Sequence, residues 1–192
     1  MKKFDIKEVF IPTISLFLIS LVVALLLAVV NGVTNPLIKQ KEIETENQMK
    51  ASVLKTADSF DEKADMVKLG DESYEYYAGY DKDKKIIGYV FKVSSKGYGG
   101  DIDCMIGIDA DGSVTGIDFL SISETAGLGM NAQKPEFKKQ YEGKNAEITV
   151  VKNVKPAENE IQALTGATIT SNAVTKSVNI ALKLFEEVKD NG

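Results

Sequence analysis

Thr165, Thr168, Thr170 and Ser171 surround the small pair Gly166-Ala167 within the stretch Leu164 to Asn172, so four hydroxyls converge on one short segment. Directly downstream, Ala173, Val174, Val178, Ala181, Leu182, Phe185 and Val188 recur every three or four residues. That spacing predicts an amphipathic helix beginning near Thr168 to Ser171. The first N–H groups of a helix have no partner within it and carry the positive end of its dipole. A hydroxyl there caps the helix, and a phosphate placed there is held. One cap needs only one hydroxyl. The Glu or Gln that completes a capping box is missing three residues after Thr168, Thr170 and Ser171, where Ser171, Ala173 and Val174 stand. Capping alone leaves hydroxyls unexplained.

A second segment with chemical content runs from Ser121 to Met130. Gly127 and Gly129 allow a backbone to approach a planar ligand, Leu128 and Met130 offer apolar contact, and Glu124 and Thr125 offer polar contact. The glycines of Lys96-Gly97-Tyr98-Gly99-Gly100-Asp101 would suggest a dinucleotide loop only if a helix followed. A strand-like run follows instead, so this segment reads as a structural turn.

Thr165-Gly166-Ala167-Thr168 resembles the [Ser/Thr]-Gly-Ala-Thr flavinylation motif of the FMN-binding domain found in the G subunit of the Rnf electron-transport complex and the C subunit of the sodium-translocating NADH:quinone oxidoreductase. Ser123-Glu124-Thr125-Ala126-Gly127-Leu128-Gly129 resembles that family's Ser-Glu-Thr-Pro-Gly-Leu-Gly loop, with Ala126 in place of proline. The resemblance implies that the Thr168 hydroxyl is esterified to the phosphate of FMN by a separate flavin transferase that uses FAD. It also implies that Thr165, Gly166, Ala167, Thr170, Ser171, Glu124, Thr125, Gly127, Leu128 and Gly129 surround the cofactor. Where the family usually has Asp, three residues before the motif, this chain has Gln162, which can hydrogen-bond but cannot act as a carboxylate.

Composition removes several other chemistries. The chain has no histidine, so Ser-His and Cys-His nucleophile pairs and the commonest metal ligand are excluded. The single Cys104 lies in the strand-like run 102–108 and reads as a buried structural thiol. Lys2, Lys3 and Lys7 against Asp5 and Glu8 give residues 1–38 a net charge of +1. The remainder of the −5 chain therefore carries −6, which argues against nucleic acid as a partner.

The elements that must position these segments begin with Val9 to Val30, 22 uncharged residues, long enough at ~1.5 Å per residue to cross a ~30 Å hydrocarbon core. Pro12 is expected in the first turn, where a missing N–H does least harm. The lysines of the short tail place the N-terminus in the cytoplasm and the body on the outer face. Residues 37–69 mix charge with spaced apolar positions and predict a helical stalk. From Tyr74 the period becomes two. Strands are expected at 74–80, 85–94, 102–108 and 114–122, with turns at 81–84 and 109–112, forming an antiparallel meander with no crossover helix. A short helix over 135–141, a short strand over 148–151 and a turn at 156–159 then lead to the motif.

The expectation is an α+β chain with an N-terminal transmembrane helix, a helical stalk, and an antiparallel β-meander packed with a C-terminal helix. Residues 1–32 form the tail and anchor, 33–70 the stalk, and 71–192 the FMN-binding domain. Its expected role is an electron-carrier subunit of a membrane-bound, ion-translocating complex, working with other membrane subunits, membrane lipid and a flavin transferase. The competing expectations are a membrane-tethered sensory or binding module and a free-standing extracellular flavin shuttle.

Overall fold

The structure, a computed structural model, describes residues 6–191. The chain forms two units, residues 1–45 and residues 46–192. In the first, every described side chain from Phe10 to Thr45 is exposed, and most are apolar as far as Val33. They belong to helix α1 (Ile6–Val53), which is long and apolar enough to cross a membrane. The helix is already under way at Ile6, so Pro12 lies in its second turn rather than its first.

Helical order does not extend across the expected stalk. α1 stops at Val53, and residues 59–69 supply strands β1 (Ser59–Phe60) and β2 (Asp65–Leu69). Both pair with β3 (Glu72–Tyr80), so this segment builds the edge of the sheet. The sheet continues antiparallel through β4 (Ile86–Lys96), β5 (Asp101–Asp109) and β6 (Val114–Ile122) in chain order. Asp81 and Asp109 close two of the turns by accepting backbone N–H groups two and four residues ahead.

Successive residues of a strand face opposite sides, and both sides of this sheet are covered. Phe91, Cys104 and Ile106 face the larger core, which is closed by Ala173, Val178 and Phe185 of helix α3 (Thr168–Asn191). Val90 and Met105, their chain neighbours, face the other side and pack with Val53 and Leu54 at the end of α1. Glycines make room for that helix end. Gly107 and Gly116 are cross-strand partners, and a Cβ on Gly107 would lie 2.3 Å from the Val53 carbonyl oxygen. The Thr115 hydroxyl donates to the same carbonyl, satisfying a group the helix end leaves open.

After β6 come a 3₁₀ turn (Gly129–Gln133), helix α2 (Pro135–Lys138) and a second 3₁₀ turn (Lys139–Tyr141). Strands β7 (Thr149–Val151) and β8 (Glu160–Gln162) then pair in parallel. A parallel pair normally needs a long crossover, but at three residues each these strands are short enough for the 152–159 loop to return the chain. β8 delivers the chain to the start of α3.

Candidate functional site

The motif folds as a turn running into a helix. Ala167 N–H donates to the Leu164 carbonyl at 3.0 Å, and Gly166 takes φ +74° at the third position of that turn, where a type II turn calls for glycine. Ser171 N–H donates to the Ala167 carbonyl at 3.0 Å, so the first helical bond closes on Ala167. The backbone N–H groups of residues 168–170 therefore form the open positive end of a 24-residue helix.

The four hydroxyls have four different surroundings. Ser171 is fully buried; its oxygen accepts from Leu164 N–H at 2.9 Å and donates to the Ala167 carbonyl at 3.0 Å, pinning the turn to the helix. The rotation of the helix carries Ser171 inward, so it lines neither of the hollows onto which Thr165 and Thr168 open. Thr170, 1% exposed, donates to Glu124 Oε2 at 3.0 Å. Thr165 is exposed and opens onto a hollow of about 430 Å³ beside Gly127, Asn131 and Lys134. Thr168, half-buried, opens onto a larger cleft, and among the described residues its hydroxyl has no hydrogen-bond partner.

That cleft, about 560 Å³, is lined by Tyr98, Glu124, Thr125, Leu128, Gly129, Gly166, Ala167, Thr168, Ile169 and Thr170. Eight of the residues expected from the sequence thus meet in one place. Thr165 and Gly127 line the adjoining hollow, which shares Leu128 with the cleft, and Ser171 lines neither. Leu128 N–H donates to the Thr125 carbonyl at 3.1 Å, with Gly127 at φ +76°. Ala126 occupies the turn position at which proline is favoured, so the turn forms without it.

Tyr98 and Ile169 were not among the expected residues. The glycine segment is a turn, closed by Gly97 N–H on the Gly100 carbonyl at 2.8 Å, and it also brings Tyr98 to the cleft. Tyr98 is 71% exposed and Ile169 54%. The available signal was a large aromatic set among glycines and an isoleucine on the polar side of the helix, neither explained by a core. Gln162 is directed elsewhere: with its amide oriented to satisfy both neighbours, it donates to Val154 carbonyl at 2.7 Å and accepts from Asn153 N–H at 3.1 Å. A carboxylate at this position could not make the donating half of that pair. Cys104 is fully buried in the core, where desolvation pushes its thiol up to about 12, so it is not a nucleophile at neutral pH.

The donor set fits a phosphate-tailed planar group. The cleft falls in the ~300–1,000 Å³ range of small-ligand sites and joins a helix N-terminus to aromatic and aliphatic walls. Gly129 is crowded by its neighbours and Gly166 is held to glycine by its positive φ. A Cβ on Gly129 would lie 2.7 Å from Thr170 Oγ1, and one on Gly166 would lie 3.0 Å from Leu128 Cδ2.

Residues 97–183, which hold both walls of the cleft, match the family model of the FMN-binding domain. The chain is 37% identical over 180 residues to the G subunit of the proton-translocating ferredoxin:NAD(+) oxidoreductase complex of Clostridium ljungdahlii, covering 93% of this chain and 92% of that one. It is 36% identical over 198 residues to the G subunit of the Na(+)-translocating ferredoxin:NAD(+) oxidoreductase complex of Acetobacterium woodii, covering 96% and 95%. The chain belongs to the G-subunit family of ion-translocating oxidoreductase complexes. Its fold is also that of the C subunit of the Na(+)-translocating NADH-quinone reductase of Parabacteroides distasonis, with TM-score 0.60, 22% identity, and coverage of 79% of this chain and 92% of that one.

Proposed function

We propose that this chain is a membrane-anchored electron-carrier subunit of an ion-translocating oxidoreductase complex, holding FMN through a phosphoester to Thr168. The observation that carries this reading is the place of Thr168: among the described residues its hydroxyl has no hydrogen-bond partner, as is also true of Thr165, but Thr168 alone of these two lines the larger cleft and stands at the open end of α3. Family membership and the FMN-binding domain match support the cofactor and the assembly with other membrane subunits.

Each neighbour has a part. The N–H groups of the first turn of α3 would hold the phosphate tail, where negative charge is favoured. Gly166 and Ala167 keep the approach to Thr168 open for a flavin transferase carrying FAD. The ester bond forms between the Thr168 oxygen and the FMN phosphorus as the pyrophosphate bond of FAD breaks; AMP leaves and the hydroxyl proton passes to the transferase or solvent. Tyr98, Leu128 and Ile169 supply apolar contact for a ring. When bound, FMN supplies the passage of one or two electrons. The covalent tether keeps the cofactor on the outer face of the membrane, where a dissociated flavin would be lost. α1 lies in the lipid with the N-terminus in the cytoplasm.

Co-expression with a flavin transferase tests the assignment. The chain is expected to fluoresce after denaturation and to gain the mass of FMN less one water, while Thr168→Ala loses both signals. Retention of flavin by denatured Thr168→Ala contradicts the proposal.

A further inference from the structure

Glu124 sits between two walls of the cleft, and most of its bonding capacity is used by the protein itself. Oε1 accepts Tyr98 N–H at 2.7 Å and Gly99 N–H at 3.2 Å, and Oε2 accepts the Thr170 hydroxyl at 3.0 Å. A carboxylate has about four lone-pair sites, so three are committed before any ligand arrives. The surrounding glycines allow this approach: a Cβ would lie 2.2 Å from Oε1 if added at Gly97, and 2.6 Å from Oε2 if added at Gly129. The groups so joined lie 26 and 46 residues from Glu124 in the chain.

We propose that Glu124 is a positioning residue, a carboxylate clasp that fixes the glycine loop to the first turn of α3 and sets a negative charge beside the flavin cleft. The second half of this statement rests on the flavin reading above; the first half does not. In the clasp, Tyr98 is held at the cleft through its backbone, which explains how an exposed aromatic on a glycine loop keeps a defined place. Charge-assisted bonds of this kind are about twice as strong as neutral ones. The charge also opposes the extra negative charge of a reduced flavin, so Glu124 holds the midpoint potential down.

The test uses the full chain in detergent, first without flavin. Amide hydrogen exchange at Tyr98 and Gly99 is expected to speed up about tenfold or more in Glu124→Ala, the factor implied by losing a bond to a charged group. In Glu124→Gln it is expected to change less than about threefold, because the amide oxygen still accepts both N–H groups and the Thr170 hydroxyl can turn to accept from the new NH₂. Thr170→Val, of similar shape, serves if the alanine variant does not fold, and is expected to speed exchange at the same two amides by about threefold. In flavin-loaded protein, Glu124→Gln is expected to shift the midpoint potential positive, a change that a contact acting only on shape does not produce. Unchanged exchange at Tyr98 and Gly99 in the folded alanine or valine variant overturns the clasp, and an unchanged potential in Glu124→Gln overturns the role of the charge. Absence of flavin from wild-type protein contradicts the proposed function instead, and leaves the clasp to be judged by exchange alone.

Discussion

Val53 and Gly107 meet where no side chain has room: the carbonyl that ends α1 lies 2.3 Å from the place a Cβ on Gly107 would take. Gly116, the cross-strand partner of Gly107, leaves the same space open, with its own Cβ position 3.2 Å from Val53 Cα. The sheet of the folded body is therefore shaped to receive the last residues of α1, and this seat is made of backbone on both sides. Backbone cannot retreat as a flexible side chain can. Gly107→Ala is expected to cost about 1–3 kcal/mol, the range for forcing extra atoms into a packed site. Thermal unfolding of the body should then occur about 2–12 °C lower. Gly100→Ala, whose new Cβ would have its nearest neighbour at 4.0 Å, should stay within about 0.5 kcal/mol of the parent.

Ser171 and Thr168 are expected to separate in experiment as they do in space. Ser171→Ala leaves the half-buried Leu164 N–H without its acceptor, at a cost of about 1 kcal/mol. The loss should appear as a lower denaturant midpoint. Flavin attached per folded molecule should be unchanged, since Ser171 touches neither hollow.

High pH should weaken the body. Burial pushes the Cys104 thiol from 9.0 up to about 12, and burial likewise raises the Tyr141 and Tyr77 hydroxyls above 10.0. These groups keep their protons in the folded state and release them on unfolding, so their stabilising effect is complete below pH 9 and is lost as pH climbs towards the folded values. The urea midpoint at pH 11 is therefore expected to fall below that at pH 8. Cys104→Ala should flatten the pH dependence, and a thiol reagent should label Cys104 only after unfolding.

The parts of the fold that were legible in the sequence carry their own local mechanism. Strands β3 to β6 show the period of two, and Asp81 and Asp109 announce their turns because their carboxylates can bind the backbone just ahead. β2 was not legible: in Asp65–Leu69 only Val67 is buried, and one inward residue cannot establish a period. The sorting of hydroxyls was hidden for another reason. Each helical step turns a side chain by about 100°, so the separate surroundings of Thr168, Thr170 and Ser171 depend on the first helical residue, which a pattern places only within a few positions. Tyr98 reaches the cleft through Glu124, 26 residues away, and no local spacing records such a contact.

The most direct test of the account is fragmentation mass spectrometry of the tryptic peptide that ends at Lys176, taken from the chain in its native membrane. This peptide holds Thr165, Thr168, Thr170 and Ser171 together. The mass of FMN less one water is expected on Thr168 alone. An unmodified peptide, or flavin carried by any other hydroxyl of the peptide, contradicts the Thr168 assignment.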